Sequence, residues 1–525
     1  MRKKGFTLIE LLAVIVILAV IALIATPIIL NIINKAKTES KTRSADNIVH
    51  AAKLYQSKIQ LKGETKSGNV YNEVIKIIDG EKPDSGVIYV NEKGQVALAV
   101  KYGDKCYKKN YEDSSANEAT GECTVSENYL ALSSAWNSTN FFDTDILKTD
   151  IEKITIVDNI NVPSNAKSYD VSVSKNKKVL LWKLDEDNNG VYEVYIGQEG
   201  GVIANPNSAN LFINLTNLKE VDLSKLDTSN VTSMHQMFAN CKSLKTIDIS
   251  NLDTSNVTSM KFMFGADSEY VMSLENIIGL EKLDTSNVTN MSTMFQGCAN
   301  LTSLDVSNFD TSKVTNMAWM FSTCTGLKTI DISNFDTKNV TNMYHMFSGC
   351  SSLTSIIGIE NFDTSNVTTM GTMFQGCSKL TSLDLSRWNT SKVTNMSYMF
   401  KSCPNLITVN LSGWKTGNLK NMAQMFAGSP TLSINIENII GIEDFDTSNV
   451  ENMNDVFGFC NKLTQLDLSK WNTMKVTNKK NMFYNCSSLT CIKVGTNWNK
   501  AMEVSNTFKG AGVSGTTTDN CIVTN

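Results

Sequence analysis

At 525 residues, with 42% hydrophobic and 19% charged residues and only 6 prolines, the chain is folded along most of its length, as several modules rather than one core. The formal charge is −4, and losing the three cations Arg2, Lys3 and Lys4 would take it to −7. With no stretch that interleaves basic and aromatic residues, the chain carries no nucleic-acid signature.

The first element is apolar. Residues 6–33 form a run in which Glu10 is the one charged residue, behind the basic residues Arg2, Lys3 and Lys4. About 20 helical residues cross a bilayer core, so the run predicts a transmembrane helix with the remainder outside the cell. A cleaved secretory signal is the alternative, with Ala22 and Ala25 as small residues near a cut. The string Gly5-Phe6-Thr7-Leu8-Ile9-Glu10 resembles the processing site of type IV prepilins and pseudopilins. The resemblance implies cleavage by a prepilin peptidase between Gly5 and Phe6, methylation of Phe6, and a helix kink at Pro27. It also implies that Glu10 pairs with the Phe6 amine of a neighbouring pilin subunit. The plainer reading of Glu10 is a carboxylate near the membrane surface that reaches water, since one held in mid-bilayer needs a partner.

Residues 1–5 are then a removed leader, 6–33 the assembly helix and 34–123 a pilin-like domain. Ile48, Ala52, Tyr55 and Ile59 continue a helical stripe. VIYV, QVALAVKY and the segment at Cys106 supply strands, with Gly94 and Gly103 as turns. In an exported protein Cys106 and Cys123 predict a disulfide worth about 3 kcal/mol by loop closure. Residues 124–150 read as a linker and 151–217 as a β-rich flank and N-terminal cap.

Ten copies of one unit occupy residues 218–488. Phenylalanines 238, 264, 295, 321, 347, 374, 400, 426, 457 and 483 mark a period of 26 residues with three longer intervals. Such a period predicts a solenoid, each unit burying its apolar face against its neighbours. Ile277-Ile278-Gly279 and Ile439-Ile440-Gly441 mark insertions bulging from one edge. In one unit Leu380, Leu383 and Leu385 give a short parallel strand and Trp388 a turn. Val393, Met396, Met399, Phe400 and Cys403 step at helical spacing, with Thr390 or Ser391 as N-cap. The fold class is thus α+β with a strand-plus-helix solenoid, its ten strands making a sheet on the order of 50 Å long. The wording DTSKVTNMAWMFSTC at 310–324 and DTKNVTNMYHMFSGC at 336–350 resembles the BspA-like leucine-rich repeats of bacterial surface proteins. That resemblance implies surface display and attachment to host or matrix proteins. Asp267 and Ser429 depart from the cysteine position, and Val456 and Lys479 from methionine positions. Residues 489–525 read as a degenerate capping repeat, with Cys491 and Cys521 as a second disulfide.

Several columns of the repeat could carry chemistry. Cysteines 241, 298, 324, 350, 377, 403, 460 and 486 have no C-x-x-C spacing for zinc and read as buried thiols. Phe309, Phe335, Phe362, Trp388, Trp414, Phe445 and Trp471 fit the inward set, although an exposed column could stack on sugar rings. Alternation turns Asp248, Asp305, Asp331, Asp384 and Asp467 outward, as a ligand face for calcium or a basic partner, or as a solvated face. His50, His235 and His345 do not cluster with acids or nucleophiles, and no hydrolase, phosphate-loop or zinc-protease motif occurs. The expectation is a non-enzyme with no cofactor and no resident metal: a pilin-like surface protein displaying a module for an extracellular protein or glycan. It would be a minor or tip pilus subunit, a membrane-tethered receptor outside any fibre, or a pseudopilin of a secretion or DNA-uptake system.

Overall fold

The computed structural model describes residues 34–55, 57–58, 68–78, 81–90, 96–109, 114–119, 123, 129–132, 137–173, 175, 177–267, 271–500 and 506–519. They form two units. In the first, helix α1 (residues 34–55) and helix α2 (Tyr71–Ile77) accompany a five-stranded antiparallel sheet. Its strands are β1 (Gly68–Asn69), β2 (Ser85–Val90), β3 (Val96–Tyr102), β4 (Lys105–Lys109) and β5 (Asn117–Ala119), in that order. The central strand β3, VALAVKY, is apolar at consecutive positions because both of its faces are covered. Ala45, Ile48 and Ala52 of α1 share one core with Val74, Leu98 and Tyr107, and Tyr55 packs at its edge. The remaining member of the predicted stripe, Ile59, lies outside the described residues. Cys106 and Cys123 are joined by a disulfide.

The second unit opens with a five-stranded mixed sheet. Its strands β6 (Ile151–Val157), β7 (Ser168–Asp170), β8 (Leu180–Leu184), β9 (Tyr192–Gly197) and β11 (Glu220–Asp222) run in the order β11-β6-β9-β8-β7, and β10 (Val202–Ile203) pairs in parallel with β12 (Leu226–Asp227). Strand β11 belongs to the repetitive region and pairs in parallel with β6, so the flank covers the first strand edge of the array.

Each repeat is one coil stacked on the next. A phenylalanine column runs from Phe212 through Phe347 to Phe508, with adjacent rings stacked at 5.4 to 6.0 Å. Isolated parallel bridges link Asn290, Asn316, Asn342, Thr369 and Asn395 in successive coils. Polar residues of the motif hold the coils together. Thr311, Thr337 and Thr364 are buried and donate to the carbonyls of Asp336, Asp363 and Asn389, one coil on. Asn339 and Asn366 donate to Ser312 and Lys338, one coil back. Asn339 and Asn366, each opening an N-V-T string, are therefore stacking residues.

Three features correct the expected fold class. First, among the described residues no repeat contains the predicted α-helix. Residues Met317 to Cys324 form consecutive turns. Trp319 and Thr323 are left-handed, at φ 62° and 56°. The backbone N–H groups of Met320, Ser322 and Cys324 bond three residues back. Those of Trp319, Phe321 and Thr323 bond instead to Tyr344, Met346 and Ser348 of the next coil. Tight turns advancing by threes and fours present Met317, Met320, Phe321 and Cys324 inward just as a helix would, and a left-handed residue then ends any helical run. Thr390, the expected N-cap, bonds the Lys415 carbonyl of the next coil.

Second, the strands do not build one continuous 50 Å sheet. In the array β13 (Thr246–Asp248) pairs only β14 (Asn276–Ile278), and β15 (Thr329–Asp331) only β16 (Ser355–Ile357). Strands β17 (Ser382–Asp384), β18 (Thr408–Asn410) and β19 (Asn438–Ile440) form a third piece, and β20 (Gln465–Leu468) with β21 (Cys491–Val494) a fourth. The array is a stack of coils with interrupted strand edges, not a closed solenoid. Third, no helix among the described residues is long and apolar enough to cross a membrane. Residues 6–33, on which the transmembrane expectation rests, lie outside the described residues.

Candidate binding surface

The aspartates predicted to face outward do so, and each closes its own turn. The carboxylates of Asp248, Asp305, Asp331, Asp384 and Asp467 accept the backbone N–H of the serine two residues on, at 2.9 to 3.0 Å. In Asp305 and Asp331 the serine hydroxyl donates as well, at 2.6 Å. That hydroxyl and N–H hold the carboxyls of Asp305, Asp331 and Asp384 below the usual carboxylate range. The repeated D-x-S is thus an Asx turn that ends the strand. No group of three or more His, Cys, Asp or Glu able to hold a metal occurs among the described residues.

The column also changes character at intervals. Ile278, Ile357 and Ile440 occupy the aspartate position and are 45%, 50% and 46% exposed. Each precedes a glycine, Gly279, Gly358 or Gly441, in left-handed conformation at φ 85° to 87°. A Cβ there would fall 2.3 to 2.6 Å from backbone atoms of Ser250, Ser333 or Ser412, so only glycine fits. A 3₁₀ turn follows, at Leu280–Lys282, Ile359–Asn361 and Ile442–Asp444. Sequence reasoning singles out two of these insertions as loops but does not show that they replace the aspartate with an exposed apolar residue. The alignment of Asp331 with Ile357 in adjacent coils is the signal that could have found it.

Clefts lie at the interruptions after Ile357 and after Ile440. One of about 320 Å³ lies between β16 and β17, lined by Ser355, Ile356, Ser382 and Asp384 with Glu360 and Arg387 at its rim. The other, about 200 Å³, lies between β19 and β20 and is lined by Asn438, Ile439, Gln465 and Asp467 with Glu437 and Glu443.

The remaining predicted columns are structural. All seven aromatics from Phe309 to Trp471 are buried, and Trp388, Trp414 and Trp471 donate their indole N–H to carbonyls of the preceding coil at 2.9 to 3.0 Å. The eight cysteines are buried free thiols. Cys324, Cys350 and Cys377 donate to the carbonyls of Phe295, Phe321 and Phe347. Burial pushes the thiols of Cys241, Cys350 and Cys403 up to about 12. His345 lies against Trp319, ring centroids 3.6 Å apart, and burial lowers its pKa to about 4. His235 bonds the Lys261 carbonyl through Nδ1. Gly5, Phe6, Glu10, Pro27 and Cys521 lie outside the described residues.

A family model described as a Mycoplasma protein of unknown function, DUF285, matches residues 206–277, 269–358, 354–439 and 438–520. Together these segments cover more than half of the chain. The chain belongs to the DUF285 family. Three of the DUF285 segments end inside an Ile-Ile-Gly insertion, at Ile277, Gly358 and Ile439, and the two closing at Gly358 and Ile439 each take in about three coils. A second model, the prokaryotic N-terminal methylation motif, matches residues 1–26. That motif is the substrate signal for prepilin peptidase. Among solved structures, a leucine-rich cell surface protein from Faecalibacterium prausnitzii is similar at 15% identity, over 65% of this chain and 94% of that chain, with a TM-score of 0.23. A comparison with curated proteins finds no match.

Proposed function

We propose that this is a pilin-like bacterial surface protein whose repeat array is a module for adhesion or protein–protein interaction. The observation that carries the reading is the union, on one chain, of a prokaryotic N-terminal methylation motif with an array filling more than half of its length. In this reading the array binds and does not catalyse. Its thiols, tryptophans and motif polar residues are occupied in holding coil to coil, which leaves the outward strand face, Asp331 and Ile357 included, as contact surface. Cleavage between Gly5 and Phe6 would release the chain for assembly as a minor or tip subunit, with Glu10 near the new amine of a neighbour.

The test is the mass of the N-terminal peptide of protein purified from its native cells. The reading expects a peptide beginning at methylated Phe6. A peptide still beginning at Met1 would contradict pilin-type assembly and leave an unassembled surface receptor. A start beyond Ala25 would mean ordinary secretion.

A further inference from the structure

The Ile-Ile-Gly insertions recur at every third coil and the strand edge parts after each, as it also does between β11 and β13 and between the coils of Leu304 and Ile330, which carry no insertion. Between the coils of Ile277 and Ile356 stand those of Leu304 and Ile330, and between Ile356 and Ile439 those of Leu383 and Val409. The insertions therefore recur on the order of 15 Å apart at the usual spacing of neighbouring strands. They are local to one edge. Across the second, Phe347 still stacks on Phe374, Thr364 still bonds the Asn389 carbonyl, and Trp388 still bonds the Ile359 carbonyl. The core of the stack continues while the main chains of Ser355–Ile357 and Ser382–Asp384 separate.

Regular coils show what is missing there. Ile332, Leu385 and Leu411 each donate a backbone N–H to the next coil, at Ile357, Asn410 and Ile440. Ile407 and Thr490 donate back to Thr381 and Thr464. Among the described residues no backbone bond of either kind joins β16 to β17 or β19 to β20. The glycine and its 3₁₀ turn add one residue at the strand end, and the register of the edge is lost. Two short rows of main-chain donors and acceptors then face an open cleft, and such rows are a template for another strand.

We infer that these clefts, between β16 and β17 and between β19 and β20, each accept an extended polypeptide segment of a partner protein, apolar and basic at alternate positions. The occupant's chemistry follows from the lining. A backbone satisfies opposed rows of N–H and C=O groups, with affinity from main-chain bonds and selectivity from alternate side chains. Ile440 lines the second cleft and offers an exposed apolar lip to one set of side chains, and Ile357, next to the lining Ile356 of the first cleft, is likewise exposed. Glu360 and Asp384 outnumber Arg387 in the first cleft, and Glu437, Glu443 and Asp467 line the second, which favours cations in the other set. No aromatic residue lines either cleft, so neither offers a sugar-stacking platform. Two equivalent sites on one rigid stack would add avidity for a partner with repeated strands. The inference deepens the surface-binding reading and rests on it for the source of the partner.

The test uses the full chain and the acetylated hexapeptide Lys-Val-Lys-Val-Lys-Val, with affinity measured by calorimetry. Saturable binding is expected, weakened about tenfold when alternate backbone nitrogens of the peptide are methylated. The paired substitutions Ile357→Ser and Ile440→Ser, both at exposed positions, should weaken it by a similar factor. Equal binding of the methylated peptide would mean charge alone and overturn the inference. So would unchanged affinity in the serine variant, or no peptide binding beside retention of a labelled polysaccharide. Failure here with a native N-terminus at methylated Phe6 would remove the clefts and leave the surface reading intact. Peptide binding with a native N-terminus at Met1 would do the reverse.

Discussion

Cysteine serves opposite purposes in the first unit and in the repeated coils, while at the array's C-terminal end Cys491 is again disulfide-bonded. In the first, Cys106 and Cys123 are oxidised and close a loop around a small antiparallel sheet. In the array, eight thiols are fully enclosed, each a small core residue that donates to the coil behind it. The difference follows from how each unit gains stability. A short sheet with two helices buries little and benefits from restricting its unfolded chain. A stack repeats the same interface, so identical side chains meet at every step and a crosslink adds little.

Substitutions in each unit should separate these two modes of stabilisation. The largest effect is expected for Phe347→Ala, which opens a void between Phe321 and Phe374 in mid-column. A loss of about 3–5 kcal/mol in the unfolding of the array, followed by denaturant titration, would fit. A loss under about 1 kcal/mol would show that the ring column is incidental. Next, replacing Cys106 and Cys123 together by alanine should cost the first unit about 3 kcal/mol and leave the array's transition in place. A shift in both would argue against separate stabilisation.

A smaller, graded effect concerns pH. Buried thiols such as Cys350 keep their protons in the folded array up to about 12, whereas unfolded cysteines lose theirs near about 8.5. The unfolded chain then binds fewer protons than the folded one, so array stability falls as pH rises through this window. The slope approaches about 1.4 kcal/mol per pH unit for each fully titrating thiol. A stability independent of pH between about 9 and 11, read by chemical denaturation, would contradict the enclosure of the thiols.

Much of this was legible in the sequence. The phenylalanine period located the coils, and the inward set Leu380, Leu383, Val393, Met396 and Phe400 is buried as expected. The pair Cys106–Cys123 followed from export and proximity. The lack of a helix was not legible, because Met396, Met399, Phe400 and Cys403 suit a helical face and a run of tight turns equally. Only the left-handed backbone at Tyr398 and Ser402 distinguishes them, and neither residue type announces it. The aspartates were legible as outward but not as turn-closers, a role that needs the serine two residues on. The breaks at the clefts follow one inserted glycine each, Gly358 and Gly441, whose consequence lies in the neighbouring coil.

The contrast between oxidised and enclosed cysteines is central to the stacked-coil architecture, and native-state alkylation reads it directly. Folded protein at mildly alkaline pH would be gently reduced, treated with iodoacetamide and mapped by mass. Label is expected on Cys106, Cys123 and the disulfide-bonded Cys491, with cysteines 241, 298, 324, 350, 377, 403, 460 and 486 unmodified until denaturant is added. Label on the ladder cysteines of the folded protein would contradict the stacked-coil architecture.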